Sequence, residues 1–310
     1  MNPLPKSLLL PIDDQEETLR PIDFLVRLYP NKIHISLILS YLESPLAPVY
    51  LQKPLAPAML AKKKALLLAR EAKTREVLNL ARKTLVQDGF PEDEIQQHVQ
   101  EKELSVAHHA CRLADLKKVD AVVIQRRFSS RLEAFFKGDI SAALLNHCQV
   151  SPIWFVDGEV KVERAVIGLD DAAASRRAVD HAAFMLAETS LQIELLHLSR
   201  TLSQPFECTA VQFDTAAPSL RGTSGELHAV LKESLEILAG EGVAPERITL
   251  AVLPSKGKIA QEILRHCRQR QAGILVLGHK GSAGTWNFLK NSVAKAVLAE
   301  ANNLAVWVNQ

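Results

Sequence analysis

The chain has 310 residues, of which 47% are hydrophobic, 23% charged and 5% aromatic; this is the make-up of a globular protein of about two domains of roughly 150 residues each. Its 37 basic and 35 acidic residues leave a formal charge of +2, too little for a general field that would draw it to nucleic acid or an anionic membrane. No apolar run approaches the about 20 residues that span a bilayer, and Lys6 with Leu8-Leu9-Leu10 is followed too soon by Pro11, Asp13 and Asp14 to read as a signal peptide.

In chain order, the first element is the run Leu8 to Ile12, which ends in Asp13-Asp14. A helical periodicity follows over Thr18 to Leu28, then a strand over Ile33 to Leu39. Leu60 to Val86 reads as a long helix carrying Lys62, Lys63, Lys64, Arg70, Lys73, Arg75, Arg82 and Lys83. Glu71 and Glu76 stand among these charges, so a solvated face is expected rather than a nucleic-acid surface. His108 and His109 are adjacent, point to different sides of a helix and make a poor metal pair. Asp120 to Ile124 is the next strand, and Ile153 to Val156 the last before Asp157-Gly158.

Past that point the order repeats. Ala165 to Leu169 is an apolar run ending in Asp170-Asp171; a helix follows over Ser175 to Ala187, then a strand over Ile193 to Leu198. Gly273 to Leu277 answers Asp120 to Ile124, and Ala305 to Val308 closes the chain. The chain is therefore two copies of one unit, 1–157 and 158–310. Alternating strands and helices, with strands that are continuous apolar runs, predict α/β domains with open parallel sheets covered by helices on both faces. Ligands of such sheets sit beyond the carboxyl ends of the strands, where the strand order reverses.

The four cysteines, Cys111, Cys148, Cys208 and Cys267, are dispersed and form no CxxC pair. They read as small buried hydrophobes, fit a reducing cytoplasm and speak against a structural zinc site. Glycine separates the copies: residues 1–157 hold two, Gly89 and Gly138, and residues 158–310 hold eleven. Glycine lets a backbone approach a phosphate closely, so the second copy is expected to have kept the means to cradle one.

After Leu277 the chain runs Gly278-His279-Lys280-Gly281, then Asn291-Ser292 at the start of a helix over Val293-Ala294-Lys295-Ala296. Gly278 and Gly281 allow a turn whose amides face an anion, and Asn291-Ser292 would offer free helix N–H groups to a phosphate. The competing reading is that Ser292 only caps its helix and the glycines only shape a turn.

Here the sequence resembles the universal stress protein family, whose ATP-binding members carry G-x2-G-x9-G-[ST]. Gly278, Gly281 and Ser292 match, and Asn291 replaces the third glycine. The resemblance covers both copies. It implies two tandem Rossmann-like domains of the adenine nucleotide alpha hydrolase type, paired through their last strands as an intramolecular pseudo-dimer. It also implies that Asp170 meets the adenosine end, that Leu198 offers its backbone to adenine, and that Gly257 lets ribose or phosphates approach. Asp170 has a competing role as a helix N-cap. In the first copy the aligned residues are Gln125, Phe128, Gly138 and Asp139; a carboxylate at the phosphate position would repel the ligand. Arg126, Arg127 and Arg131 nearby read as a solvated basic face.

The function expected is that of a cytoplasmic stress-response or signalling protein. It would bind ATP or AMP, with Mg as a companion ion, in the second copy, and use the first as a scaffold or as the interaction module for a protein partner. The alternative is a partner-binding stress protein that takes no nucleotide. No catalytic set and no metal site is expected: GxxxxGK[ST], SGGxDS, HIGH and KMSKS are all absent. A monomer or a dimer of tandem chains is expected.

Overall fold

The computed structural model describes residues 4–15, 19–126, 144–145, 148, 150–170, 173–216, 225–279 and 293–309. The first copy contains β1 (Lys6–Ile12), α1 (Arg20–Leu28), β2 (Ile35–Glu43), α2 (Pro57–Gln87), β3 (Ile95–Glu101), α3 (Val106–Lys117), β4 (Ala121–Gln125) and β5 (Ile153–Val156). The second contains β6 (Arg164–Leu169), α4 (Ala173–Leu186), β7 (Gln192–Ser199), β8 (Phe206–Thr209), α5 (Phe213–Ala216) and α6 (Gly225–Gly240). It continues with β9 (Ile248–Pro254), α7 (Ile259–Gln269), β10 (Ile274–Gly278), α8 (Val293–Glu300) and β11 (Ala305–Asn309).

These strands form one sheet in the order β3-β2-β1-β4-β5-β11-β10-β6-β7-β9-β8. Within each copy the principal strands are parallel, so side chains alternate between two helix layers. Leu8 and Leu10 enter the core beneath α1, α2 and α4, while Leu9 enters the opposite core with α3, α7 and α8. Burial on both faces explains why these strands read as unbroken apolar runs.

The copies meet where β5 and β11 run antiparallel, with Trp307 opposite Trp154 and Val306 opposite Phe155. A last strand left as an edge would expose unpaired backbone groups; here each copy's edge closes the other's. The indole rings of Trp154 and Trp307 stack with centroids 3.7 Å apart, both fully buried. His181, on α4, accepts a hydrogen bond from Trp154 Nε1 at 3.0 Å, and burial pushes its imidazole pKa down to about 3. Lys6 of the first copy is buried in an ion pair with Glu188 of the second and lies over the Phe184 ring.

α2 is 31 residues long, and its buried residues, Thr74, Val77, Leu78, Ala81 and Leu85, all lie in its second half. Some charges along it pair locally, as Arg75 does with Glu71 and Lys73 with Glu76, but Arg70 departs from the expected solvated face: it is 23% exposed and pairs with Glu43 of β2 at 3.0 Å and Glu101 of β3 at 3.5 Å. β8 is an element without a counterpart in the sequence reading. This short antiparallel edge strand is fastened by the ion pair of Glu207 with Arg270, which also reaches the buried Glu194.

Two further expectations are corrected. Cys111 and Cys148, 37 positions apart in sequence, are joined in a disulfide with Cα atoms 5.0 Å apart. α3 and the segment carrying Cys148 pack into the same core, a proximity that sequence spacing does not display. Cys208 and Cys267 remain thiols. The disulfide removes the support that dispersed cysteines lent to a reducing compartment. Arg126, read as part of a solvated face, instead has a side chain only 9% exposed and pairs with Asp157 at 3.0 Å.

No described helix is long and apolar enough to cross a membrane.

Candidate functional site

The second copy's strand order reverses between β10 and β6, whose neighbours on the far sides are β11 and β7. Beyond the carboxyl ends of these strands lies a cavity of about 150 Å³. Its polar wall is made by Asp170, Ser175 and His197, and its apolar wall by Leu196, Leu198, Ile259, Ile263, Leu277, Val293 and Ala294. Gly168, Leu169 and Gly278 also line it.

Asp170 follows β6 directly and is exposed. Ser175, in the first turns of α4, accepts from the Asp170 amide at 2.9 Å and donates its hydroxyl to Asp170 Oδ1 at 2.5 Å. This reciprocal pair fixes the carboxylate at the cavity mouth. The first-copy counterpart, Asp13, instead receives the Gln15 amide at 2.8 Å, as in an Asx turn.

Leu198 is half-buried near the end of β7. His197, just before it, was not singled out from sequence. Its Nδ1 lies 3.0 Å from the Leu169 carbonyl. A carbonyl only accepts, so Nδ1 carries the proton, which leaves Nε2 as an acceptor in the neutral ring. The readable signal was position alone, a polar residue at the end of an inner strand.

Gly278 ends β10 and has a clear structural duty. A Cβ there would stand 2.4 Å from the backbone C and O of Ala174 and 2.8 Å from the Ser175 amide. The start of α4 therefore crosses directly over this glycine. His279, the next residue, is buried, which lowers its imidazole pKa, and its amide donates to the Asn309 carbonyl.

Gly257 stands apart from the residues that line the cavity. It sits in the loop after β9 with φ +98°, and open space surrounds the position of a Cβ. Glu262 holds that loop by accepting from Ser255 Oγ at 2.7 Å and the Lys256 amide at 2.9 Å; the serine bond foremost keeps its carboxyl pKa low. Gly281, Asn291 and Ser292 lie outside the described residues, as do Phe128, Gly138, Asp139, Arg127 and Arg131 of the first copy.

A larger recess of about 550 Å³ opens at the opposite, amino end of the sheet, lined by Lys161, Cys267, Arg268, Gln271 and Asn302 among others. Burial pushes the Cys267 thiol up to about 12, so it is no nucleophile near neutral pH. Among the described residues no group of three His, Cys, Asp or Glu side chains is placed to hold a metal ion.

Universal stress protein YxiE of Bacillus subtilis (strain 168) is 24% identical over 139 residues, 43% of this chain and 90% of that protein. The crystal structure of a universal stress protein from Archaeoglobus fulgidus DSM 4304 superposes with a TM-score of 0.64 at 15% identity, covering 98% of this chain and 96% of that one. A functionally unknown protein, PA1789, from Pseudomonas aeruginosa PAO1 superposes with a TM-score of 0.53 at 14% identity, covering 98% and 92%. At such identities the structures speak for the fold. The family model described as "Universal stress protein family" matches this chain twice, over residues 5–156 and 161–308. The chain belongs to the universal stress protein family and carries two of its units in tandem.

Proposed function

We propose that the second copy binds one adenine nucleotide, ATP or AMP, and that the first copy serves as a scaffold and as the docking module for a protein partner. The observation that carries this reading is the cavity at the strand reversal, with a fixed carboxylate and a histidine on one wall and aliphatic side chains on the other. Flat heteroaromatic bases suit such a site: apolar walls cover the ring faces while a few polar groups read its edge. At about 150 Å³ it is smaller than the roughly 300–1,000 Å³ of pockets that enclose whole ligands, so it suits the base, with ribose and phosphates lying outside. Among the described residues Asp170 is the one carboxylate lining it, so an accompanying Mg would rest mainly on the nucleotide's phosphates.

The reading is of binding rather than turnover: the one hydroxyl among the described lining residues, on Ser175, is tied to Asp170 in the reciprocal pair that fixes the carboxylate. One observation favours the alternative, a partner-binding protein without nucleotide: Gly278 is already required by the crossing of α4. Protein purified and then denatured should release an adenine nucleotide identifiable by chromatography, and calorimetry with ATP and AMP should give one site per chain. Absence of both retained nucleotide and binding heat at millimolar concentration would leave the alternative. Substituting Gly281 with Val should abolish the heat.

A further inference from the structure

The carboxyl end of β4 in the first copy corresponds to the site of the second, but its side chains are committed to the seam. Gln125 is buried, and the next residue, Arg126, occupies the position of His279. Its guanidinium bridges the seam: Nη1 donates to the Leu298 carbonyl of the second copy at 2.5 Å, and Nη2 lies 3.0 Å from Oδ2 of Asp157 in its own copy. Leu298 is in the last turn of α8. Carbonyls of a last helical turn lack intrahelical donors and carry the negative end of the helix dipole, so a guanidinium there answers both needs. Asp157, equally buried, keeps the arginine's charge paired, and its own amide donates to the Leu304 carbonyl just ahead of β11. A buried guanidinium is stable only when so paired, which holds the side chain to one geometry.

α8 has eight residues and is about 12 Å long. Its far end presents Val293 and Ala294 to the cavity. We propose that Arg126 is a positioning residue for the second copy's cavity: a first-copy side chain clamps the carboxyl end of the helix whose amino end forms the cavity wall. The first copy's own strand end, no longer used for a ligand, thereby sets the shape of its neighbour's site. The ligand part of this inference rests on the nucleotide reading; the clamp on α8 does not.

Hydrogen exchange on the intact, ligand-free chain tests the clamp, comparing wild type with Arg126→Ala, Arg126→Lys and Arg27→Gln. The last cuts the more exposed seam pair of Arg27 with Glu159, 3.9 Å apart, without touching α8. Arg126→Ala should speed exchange in α8 at least about tenfold, the loss expected for a hydrogen bond from a charged donor. α4 and α7 should stay within about twofold of wild type, Arg126→Lys should fall between, and Arg27→Gln should leave α8 unchanged. Acceleration of α4, α7 and α8 alike, or none in α8, overturns the clamp. Where Arg126→Ala does not fold, Arg126→Lys decides by the same comparison. In calorimetry, Arg126→Ala should weaken ATP binding at least about fivefold while Arg27→Gln matches wild type; equal affinity in Arg126→Ala and wild type overturns the positioning role. A wild type that binds no adenine nucleotide refutes the nucleotide reading instead, and exchange in α8 still decides the clamp.

Discussion

Replacing Gly278 with Ala separates the two duties that this residue could have. The new Cβ would lie 2.4 Å from the backbone of Ala174, where contact needs about 3.4 Å, so the start of α4 would have to retreat by about 1 Å. The obstacle is helix backbone, which cannot rotate aside, and this places the overpacking cost near the top of the usual range of about 1–3 kcal/mol. Alanine returns about 0.4–1 kcal/mol by restricting the unfolded chain, which leaves a net loss of about 2 kcal/mol. With a urea slope of about 3 kcal/mol per molar, the unfolding midpoint should drop by about 0.7 M in the absence of any ligand. Gly240→Ala is the control: nothing lies within 4 Å of its Cβ, and the variant should be neutral or more stable by up to about 1 kcal/mol. A Gly278→Ala protein with a wild-type midpoint but lost nucleotide binding would refute the reasoning, because it would mean that the glycine serves the ligand and not the crossing of α4.

Other substitutions test the seam and the cross-link. The disulfide closes a loop of 37 residues; the chain-entropy relation assigns it about 3.8 kcal/mol, which for a chain of this length is about 6 °C in Tm. Cys111→Ser with Cys148→Ser should show that loss, and four free thiols counted in the unreduced, denatured wild type would contradict the cross-link. His181, with its pKa near 3 when folded, can take a proton only in the unfolded chain between about pH 6.5 and 3, so stability should fall with acidity across that window, by about 2 kcal/mol at pH 5. His181→Gln keeps an acceptor for Trp154 and should flatten the slope by one proton; an unchanged pH profile would mean that the imidazole titrates normally. Lys6→Met or Glu188→Gln alone should each cost about 2–3 kcal/mol by stranding the partner, less than a fully buried pair because Glu188 is 24% exposed. The double variant Lys6→Met/Glu188→Leu should recover most of the loss, and strictly additive single effects in urea unfolding would rule out the pairing.

The fold could be read because its principal strands are buried on both faces. Leu8-Leu9-Leu10 and Ile274 to Leu277 send successive side chains into opposite cores, so a run without alternation was the right sign of an inner strand. Pairing of the last strands was implied by the family resemblance, and it covers an edge that would otherwise be exposed. Arg126 could not be read, because a clamp on a helix end and a solvated cation are the same residue type in the same kind of sequence; only the partners Leu298 and Asp157 distinguish them. The cysteine pair was hidden in the same way, since partners 37 positions apart meet only after α3 has packed.

Glycine carried the strongest weight in the sequence and changes meaning in the structure. Eleven of the thirteen glycines lie in residues 158–310, which suggested a preserved phosphate cradle. Yet a Cβ on Gly273 would stand 1.5 Å from the Lys161 carbonyl oxygen, where the stretch leading into β6 passes the start of β10, and Gly278 answers to α4. Both contacts join strands or helices of the second copy to each other and would be needed with no ligand at all. Gly273 and Gly278 thus answer to close approaches within the second copy, while nothing lies within 4 Å of a Cβ on Gly240, Gly242 or Gly257. The case for a nucleotide passes from the glycines to the cavity wall of Asp170, His197 and Leu198, which sets polar groups and an apolar side chain around one space at the strand reversal.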